Sequence, residues 1–133
     1  MSSGRVRVFR FVGNDWTLLG GEADIVGVSL NDRLGEALSL SNDGKVIVIG
    51  APQAIDKTGY AVVYTFDGFA WNQVGASIVG ATFGDRVGDS VDVSSDGGIV
   101  AIGCHANYVR IFEVKDEGLD ELSSLSGNGT FGA

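Results

Sequence analysis

The sequence predicts an all-β chain, a partial β-propeller with two complete four-stranded antiparallel blades plus half a blade. Three observations carry that prediction. Segments of the chain repeat with an offset of 53 residues, short Val/Ile-rich runs alternate with glycine turns, and no stretch shows a helical apolar period.

The repeat comes first because it decides the architecture. The segment from Leu34-Gly35-Glu36 through Asn42-Asp43-Gly44 matches Val87-Gly88-Asp89 through Ser95-Asp96-Gly97, 53 positions on. Asn31-Asp32-Arg33 matches Gly84-Asp85-Arg86 upstream, and Val46–Gly50 matches Ile99–Gly103 downstream, at the same offset. Trp16 and Trp71 each precede a glycine by four residues, Gly20 and Gly75. One strand recurs three times, as Arg5–Phe9, Tyr60–Tyr64 and Tyr108–Phe112.

The expected strands follow from this frame. In the first complete unit they are Glu36–Ser41, Lys45–Gly50, Tyr60–Phe66 and Trp71–Val79; in the second, Asp89–Ser94, Ile99–Cys104, Tyr108–Lys115 and Gly118–Ser126. Asp43-Gly44 and Asp96-Gly97 join the first two strands of each unit, and Asp67-Gly68 joins the last two of the first. Asp-Gly suits a tight hairpin because Gly, and less readily Asp, accepts positive φ. Val46–Ile49 and Ile99–Ile102 are apolar throughout, the pattern of a strand covered on both faces, as an inner blade strand is. The expected organisation is therefore outer strands of one blade over 4–25, a blade over 34–79, a blade over 87–126 and the start of another at 131–133. A closed ring needs roughly 4–8 blades, so the chain is expected to belong to a longer protein or to assemble with copies of itself.

Composition narrows the function classes. With 133 residues, 44% hydrophobic and 20% charged, the chain is neither disordered nor fibrous. A formal net charge of −8 repels phosphate backbones and anionic lipid surfaces, which disfavours nucleic-acid and membrane-surface roles. It is compatible with divalent cations or basic partners. No apolar run reaches the ~20 residues of a membrane helix. The N-terminus runs into a strand pattern without a signal-peptide profile. Cys104 is the single cysteine, so no internal disulfide can form and the redox compartment stays open.

These residues resemble the FG-GAP repeat of integrin-alpha-type propellers. The Phe-Gly element corresponds to Leu34-Gly35, Val87-Gly88 and Phe131-Gly132, and the Gly-Ala-Pro element to Gly50-Ala51-Pro52, degenerate as Gly103-Cys104-His105. The resemblance implies a non-catalytic interaction or scaffold module that presents loops to a protein or glycan partner, at the cell surface or outside the cell. It also implies calcium in the loop between the first two strands, at Asp92, Ser94 and Asp96 before Gly97, where hard oxygen ligands alternate. Two carboxylates and a hydroxyl are a thin set, and the equivalent loop retains only Asp43 beside Ser39 and Ser41. The competing reading makes both loops plain hairpin turns. No other cofactor is expected.

The remaining candidates read as structural. Asp32-Arg33 and Asp85-Arg86 recur before each first strand, so a carboxylate that caps loop amides explains them better than a ligand site does. Trp16 and Trp71 are expected to pack between blades or beneath a hairpin. Cys104 and His105 are adjacent on a strand and point to opposite faces, so they form no catalytic pair there. Asn128-Gly129-Thr130 is a glycosylation sequon. Two alternatives to a binding module stay open: a purely structural repeat array, and part of an enzyme whose catalytic residues lie in blades outside this chain.

Overall fold

The computed structural model describes residues 2–21 and 23–127. The opening half-unit forms β1 (Arg5–Val6), β2 (Val8–Val12), β3 (Asp15–Leu19) and β4 (Ile25–Val26), with β1 paired to β4 and β2 to β3. The first complete unit contains β5 (Ala37–Leu40), β6 (Val46–Ala51), β7 (Tyr60–Phe66), β8 (Trp71–Gln73) and β9 (Ile78–Val79). Its sheet order is β5-β6-β7-β8, and β9 pairs with the first residues of β7. The second contains β10 (Ser90–Val93), β11 (Ile99–Cys104), β12 (Tyr108–Lys115) and β13 (Gly118–Ser126), in that order across the sheet. All these pairings are antiparallel. The chain is all-β and has the architecture of a partial propeller.

The turn chemistry behaves as its residues dictate. Gly44 and Gly97 sit at φ +73° and +76°. Beside them Asp43 Oδ1 accepts hydrogen bonds from Lys45 N at 2.9 Å and Ser41 Oγ at 2.8 Å, and Asp96 Oδ1 accepts from Gly98 N at 2.8 Å and Ser94 Oγ at 2.7 Å. Two elements depart from expectation. The strand expected over Trp71–Val79 is split into β8 and β9, because Gly75 turns at φ +66° while Val74 N still bonds Val63 O at 2.8 Å. A four-residue helical turn, Ala54–Lys57, stands between β6 and β7 where no helix is expected.

Packing lies between units. Val6, Val8 and Ile25 of the half-unit meet Leu34, Ile47, Ile49 and Tyr60 in one apolar cluster. Val48, Ala61 and Val63 meet Val87, Val93, Val100 and Ile102 in a second. β6 therefore buries Ile47 and Ile49 toward one neighbour and Val48 toward the other, which is why its sequence does not alternate. Each such side chain stabilises the stack by roughly 1.5–3 kcal/mol.

The two tryptophans part company. Trp71 packs on the first cluster and lies over Gly20, where an added Cβ would come within 2.5 Å of its Cδ1. Leu119 lies over Gly75 in the same way one unit later. Trp16, expected to be packed, is instead 64% exposed and touches Phe11 with ring centroids 5.2 Å apart. Trp71 thus packs onto a glycine of the preceding unit, whereas Trp16 lies over no glycine among the described residues.

Candidate functional site

Antiparallel strands sort the connections by end. The Asp-Gly hairpins and the Gly13-Asn14 turn share one end of the sheets. At the other emerge the links between the second and third strands, residues 52–59 and 105–107, and those between units, residues 27–36 and 80–89. Among the described residues, every non-glycine residue at positive φ lies at this second end: Asn31, Arg33, Ile55, Asp56, Lys57, Arg86 and Asn107. Side chains at positive φ cost of order 1–3 kcal/mol each and gather where function or connection demands them. Arg33 and Arg86 are equivalent positions and belong to the repeat. Ile55 (φ +52°), Asp56 (φ +50°) and Lys57 (φ +66°) are not repeated. A β-branched residue in that region is an outlier.

The link over 52–59 is five residues longer than that over 105–107. Pro52 is fully buried and Ala54 is 1% exposed, which anchors the segment, while hydrogen bonds from Lys57 N to Gln53 O and from Gly59 N to Ala54 O close the turn. Between this turn and the loop over 28–32 lies a cavity of about 560 Å³, bordered by Ser29, Asp32, Gln53, Asp56, Tyr60 and Ser77 among others. No Lys, Arg or His is among its lining residues.

The repeated aspartate, of which the Asp32 copy borders this cavity, takes two different forms. Asp85 is fully engaged: Oδ2 accepts from Ala81 N and Thr82 N at 3.0 Å and Tyr108 Oη at 3.1 Å, and Oδ1 accepts from Thr82 Oγ1 at 2.7 Å. The Thr82 hydroxyl, helped by these amides, holds the Asp85 carboxyl below the usual carboxylate range. Asp32 is 4% exposed, and its Oδ2 accepts from Ser29 N at 2.9 Å and Tyr60 Oη at 3.0 Å. Ser29 stands where Thr82 does in the next unit, but no hydroxyl bond reaches Asp32 Oδ1, which accepts no hydrogen bond among the described residues. Burial pushes the Tyr60 phenol up to about 12, against the opposing Val28 amide, so Tyr60 stays a donor to Asp32.

The sequence-predicted residues fall out as follows. Ser94 and Asp96 meet in the hairpin, whereas Asp92 Oδ1 accepts from Ser39 Oγ of the neighbouring unit at 3.0 Å. Among the described residues no three His, Cys, Asp or Glu side chains converge as a metal site would need. Asp32 and Asp85 cap loop amides, as their repetition implied. Burial raises the Cys104 thiol, and His105 lies on the surface with Nδ1 3.8 Å from Asp89 Oδ2. Phe131-Gly132 and the Asn128-Gly129-Thr130 sequon lie outside the described residues. The cavity itself was missed. Its signal was present in the repeat: the 53-residue offset of the second strands falls to 48 between Tyr60 and Tyr108, which locates the extra residues in the link over 52–59.

No family model and no curated protein matches this chain. Solved structures do. A Bacteroides fragilis protein with the provisional name 6-phosphogluconolactonase superposes with a TM-score of 0.63 and 18% identity, over 93% of this chain and 33% of its own. A Bacteroides uniformis protein of the same provisional name gives 0.62 and 17%, over 93% of this chain and 35% of its own. The chain shares their fold. It spans about a third of their length.

These findings correct the expected FG-GAP, integrin-alpha-like membership and the non-catalytic protein- or glycan-binding module drawn from it. The matching proteins carry an enzyme's name, so the expectation of a chain with no part in catalysis is left without support. The physical reason lies in the motifs. Gly50 of the Gly-Ala-Pro element rests against the backbone of Gly88 in the next unit, and the Asp-Gly pairs close hairpins. Any stack of four-stranded sheets asks for such residues, whichever family it belongs to.

Proposed function

We propose that this chain is one sector of a propeller enzyme that hydrolyses a sugar-derived lactone, and that its cavity between residues 28–32 and 53–56 faces the substrate. The carrying observation is the difference between two equivalent aspartates: Asp85 has both oxygens engaged, whereas Asp32 borders a cavity and its Oδ1 accepts no hydrogen bond among the described residues. The provisional name of the structural neighbours supplies the substrate class.

The chemistry is that of a general base. Asp32 Oδ1 takes a proton from water as the water oxygen adds to the lactone carbonyl carbon. The ring C–O bond then breaks, and the departing oxygen takes up the proton to give the hydroxy acid. Tyr60 holds the carboxylate in place through Oδ2. The lining is acidic and free of cations among the described residues, so this sector suits the uncharged, polyhydroxylated part of the substrate rather than a phosphate.

The test is lactone hydrolysis followed at constant pH with glucono-δ-lactone and its 6-phosphate as probes, alongside amide shifts in the protein. The expected result is a rate above buffer alone that falls about a hundredfold in Asp32→Asn. Asp85→Asn, at the equivalent but closed position, should keep the rate. A rate equal to buffer, with no shift at residues 28–32 or 53–57, would overturn the proposal.

A further inference from the structure

The turn over Ala54–Lys57 combines two costs in one place, a left-handed backbone and an apolar side chain in water. Ile55, Asp56 and Lys57 stand at φ +52°, +50° and +66°, with no glycine among them. Ile55 is β-branched, which makes the left-handed region costlier still. The ends of the turn are fixed. Ala54 is buried, and Gly59 N donates to Ala54 O at 2.9 Å. On the other side Lys57 O accepts from Gly84 N at 3.1 Å and Arg86 N at 3.0 Å, and Thr58 O accepts from Val87 N at 3.0 Å. The span between these anchors is Ile55-Asp56, kept in its turn by Lys57 N donating to Gln53 O at 3.2 Å and Thr58 N to Ile55 O at 3.0 Å. Ile55 is 57% exposed on one border of the 560 Å³ cavity, and Val28 and Leu30 on the facing border are 85% and 69% exposed. Phe83, in the place of Leu30 one unit on, is 75% exposed, so an exposed apolar tip belongs to this loop in both copies. The link over 105–107 carries only Asn107 at positive φ, so the strained span itself is not part of the repeat.

We propose that Ile55-Asp56 is a strap that swings over this cavity, exchanging the left-handed turn for ordinary backbone and laying Ile55 against Val28 and Leu30. The left-handed turn is its open position. Closure breaks the two hydrogen bonds of the turn. In exchange it relieves the backbone strain and takes apolar side chains out of water. These opposing terms are of the same order, so the contacts of a molecule lodged in the cavity decide the balance. The closed strap shields that molecule, beside Asp32 and Tyr60, from bulk solvent. The kind of molecule rests on the enzymatic reading; the motion of the strap does not.

NMR relaxation dispersion on the full chain reads the strap without ligand, and glucono-δ-lactam, a ring amide that water opens slowly, reads it with the cavity filled. The free chain should show millisecond exchange at Ile55 and Asp56, with a minor state of about 1–10%. Saturating lactam should make that state the major one. The Cα shifts of residues 55–57 then leave left-handed values, and the Ile55 methyls gain nuclear Overhauser contacts to those of Leu30. Ile55→Asn supplies a polar side chain that tolerates positive φ, so it should abolish the exchange and bind the lactam about tenfold more weakly. Exchange in the free chain without lactam binding would keep the strap and remove the enzymatic reading from this cavity. Lactam shifts at residues 28–32 with residues 55–57 still left-handed would overturn the strap and leave that reading standing. Flat dispersion with no response to lactam, or an Ile55→Asn chain that exchanges and binds as its parent does, would also overturn the strap.

Discussion

Replacing Gly50 by alanine should break the stack between the two complete units, and the equivalent replacement of Gly103 should not. Gly50 lies in the middle of β6, paired to Ala37 on one side and Ala61 on the other, so its strand cannot shift alone. An added methyl would stand 2.9 Å from the carbonyl carbon of Gly88, 3.0 Å from its Cα, and closer still to its oxygen. Carbon atoms rest about 3.5–4.0 Å apart, so the neighbouring unit must retreat by roughly 0.5–1 Å. That retreat opens the cluster holding Val48, Val63, Val87, Val100 and Ile102, all fully buried. Overpacking of this kind costs about 1–3 kcal/mol, and the immovable backbone on both sides puts Gly50→Ala at the upper end. At Gly103 the methyl meets the side-chain hydroxyl of Ser90, which can rotate away. There the loss of glycine entropy favours the variant, with an expected change within about 1 kcal/mol. Urea unfolding followed by tryptophan fluorescence measures both. A Gly50→Ala chain as stable as its parent, or a Gly103→Ala chain equally destabilised, would refute the account of blade contact.

Trp71→Ala should cost about 3 kcal/mol by removing the side chain over Gly20, and Trp16→Ala less than about 1 kcal/mol, since Trp16 is mostly in water; the same unfolding assay compares them. The three tyrosines all have phenols raised by burial, Tyr60 to about 12, so the tyrosinate absorbance should show no step near pH 10. The neutral phenols contribute stability that is complete below the unfolded value and lost as pH rises through the folded ones, so tyrosinate should appear together with alkaline unfolding. A tyrosine titrating at pH 10 in the folded chain would contradict this. Asp85 has the opposite sign: its lowered carboxyl contributes stability above the unfolded value of about 4, lost as pH falls through the folded one, so Asp85→Asn should flatten the acid limb of a Tm–pH curve. Calcium should leave Tm unchanged, because hydrogen bonds already occupy Asp92 Oδ1 and Asp96 Oδ1; a rise that a chelator reverses would establish the ion.

What could be read from the chain itself was whatever local chemistry decides. Asp43-Gly44 and Asp96-Gly97 make hairpins because of their own backbone preferences, and the apolar run Val46–Ile49 announces a strand covered on both faces before its neighbours are known. Repetition then supplied the order of the strands. Only the tertiary structure decided which copy of a repeated residue differs in its contacts. Trp16 and Trp71 occupy matching places in the sequence, yet Trp71 packs on a glycine 51 residues earlier while Trp16 is mostly exposed. Asp32 and Asp85 stand in matching loops, yet the Thr82 hydroxyl bonds Asp85 Oδ1 whereas among the described residues no hydroxyl bonds Asp32 Oδ1, in a side chain that borders a cavity. Those outcomes depend on atoms contributed by other units, and the pattern within one repeat carries no information about the surface placed against it.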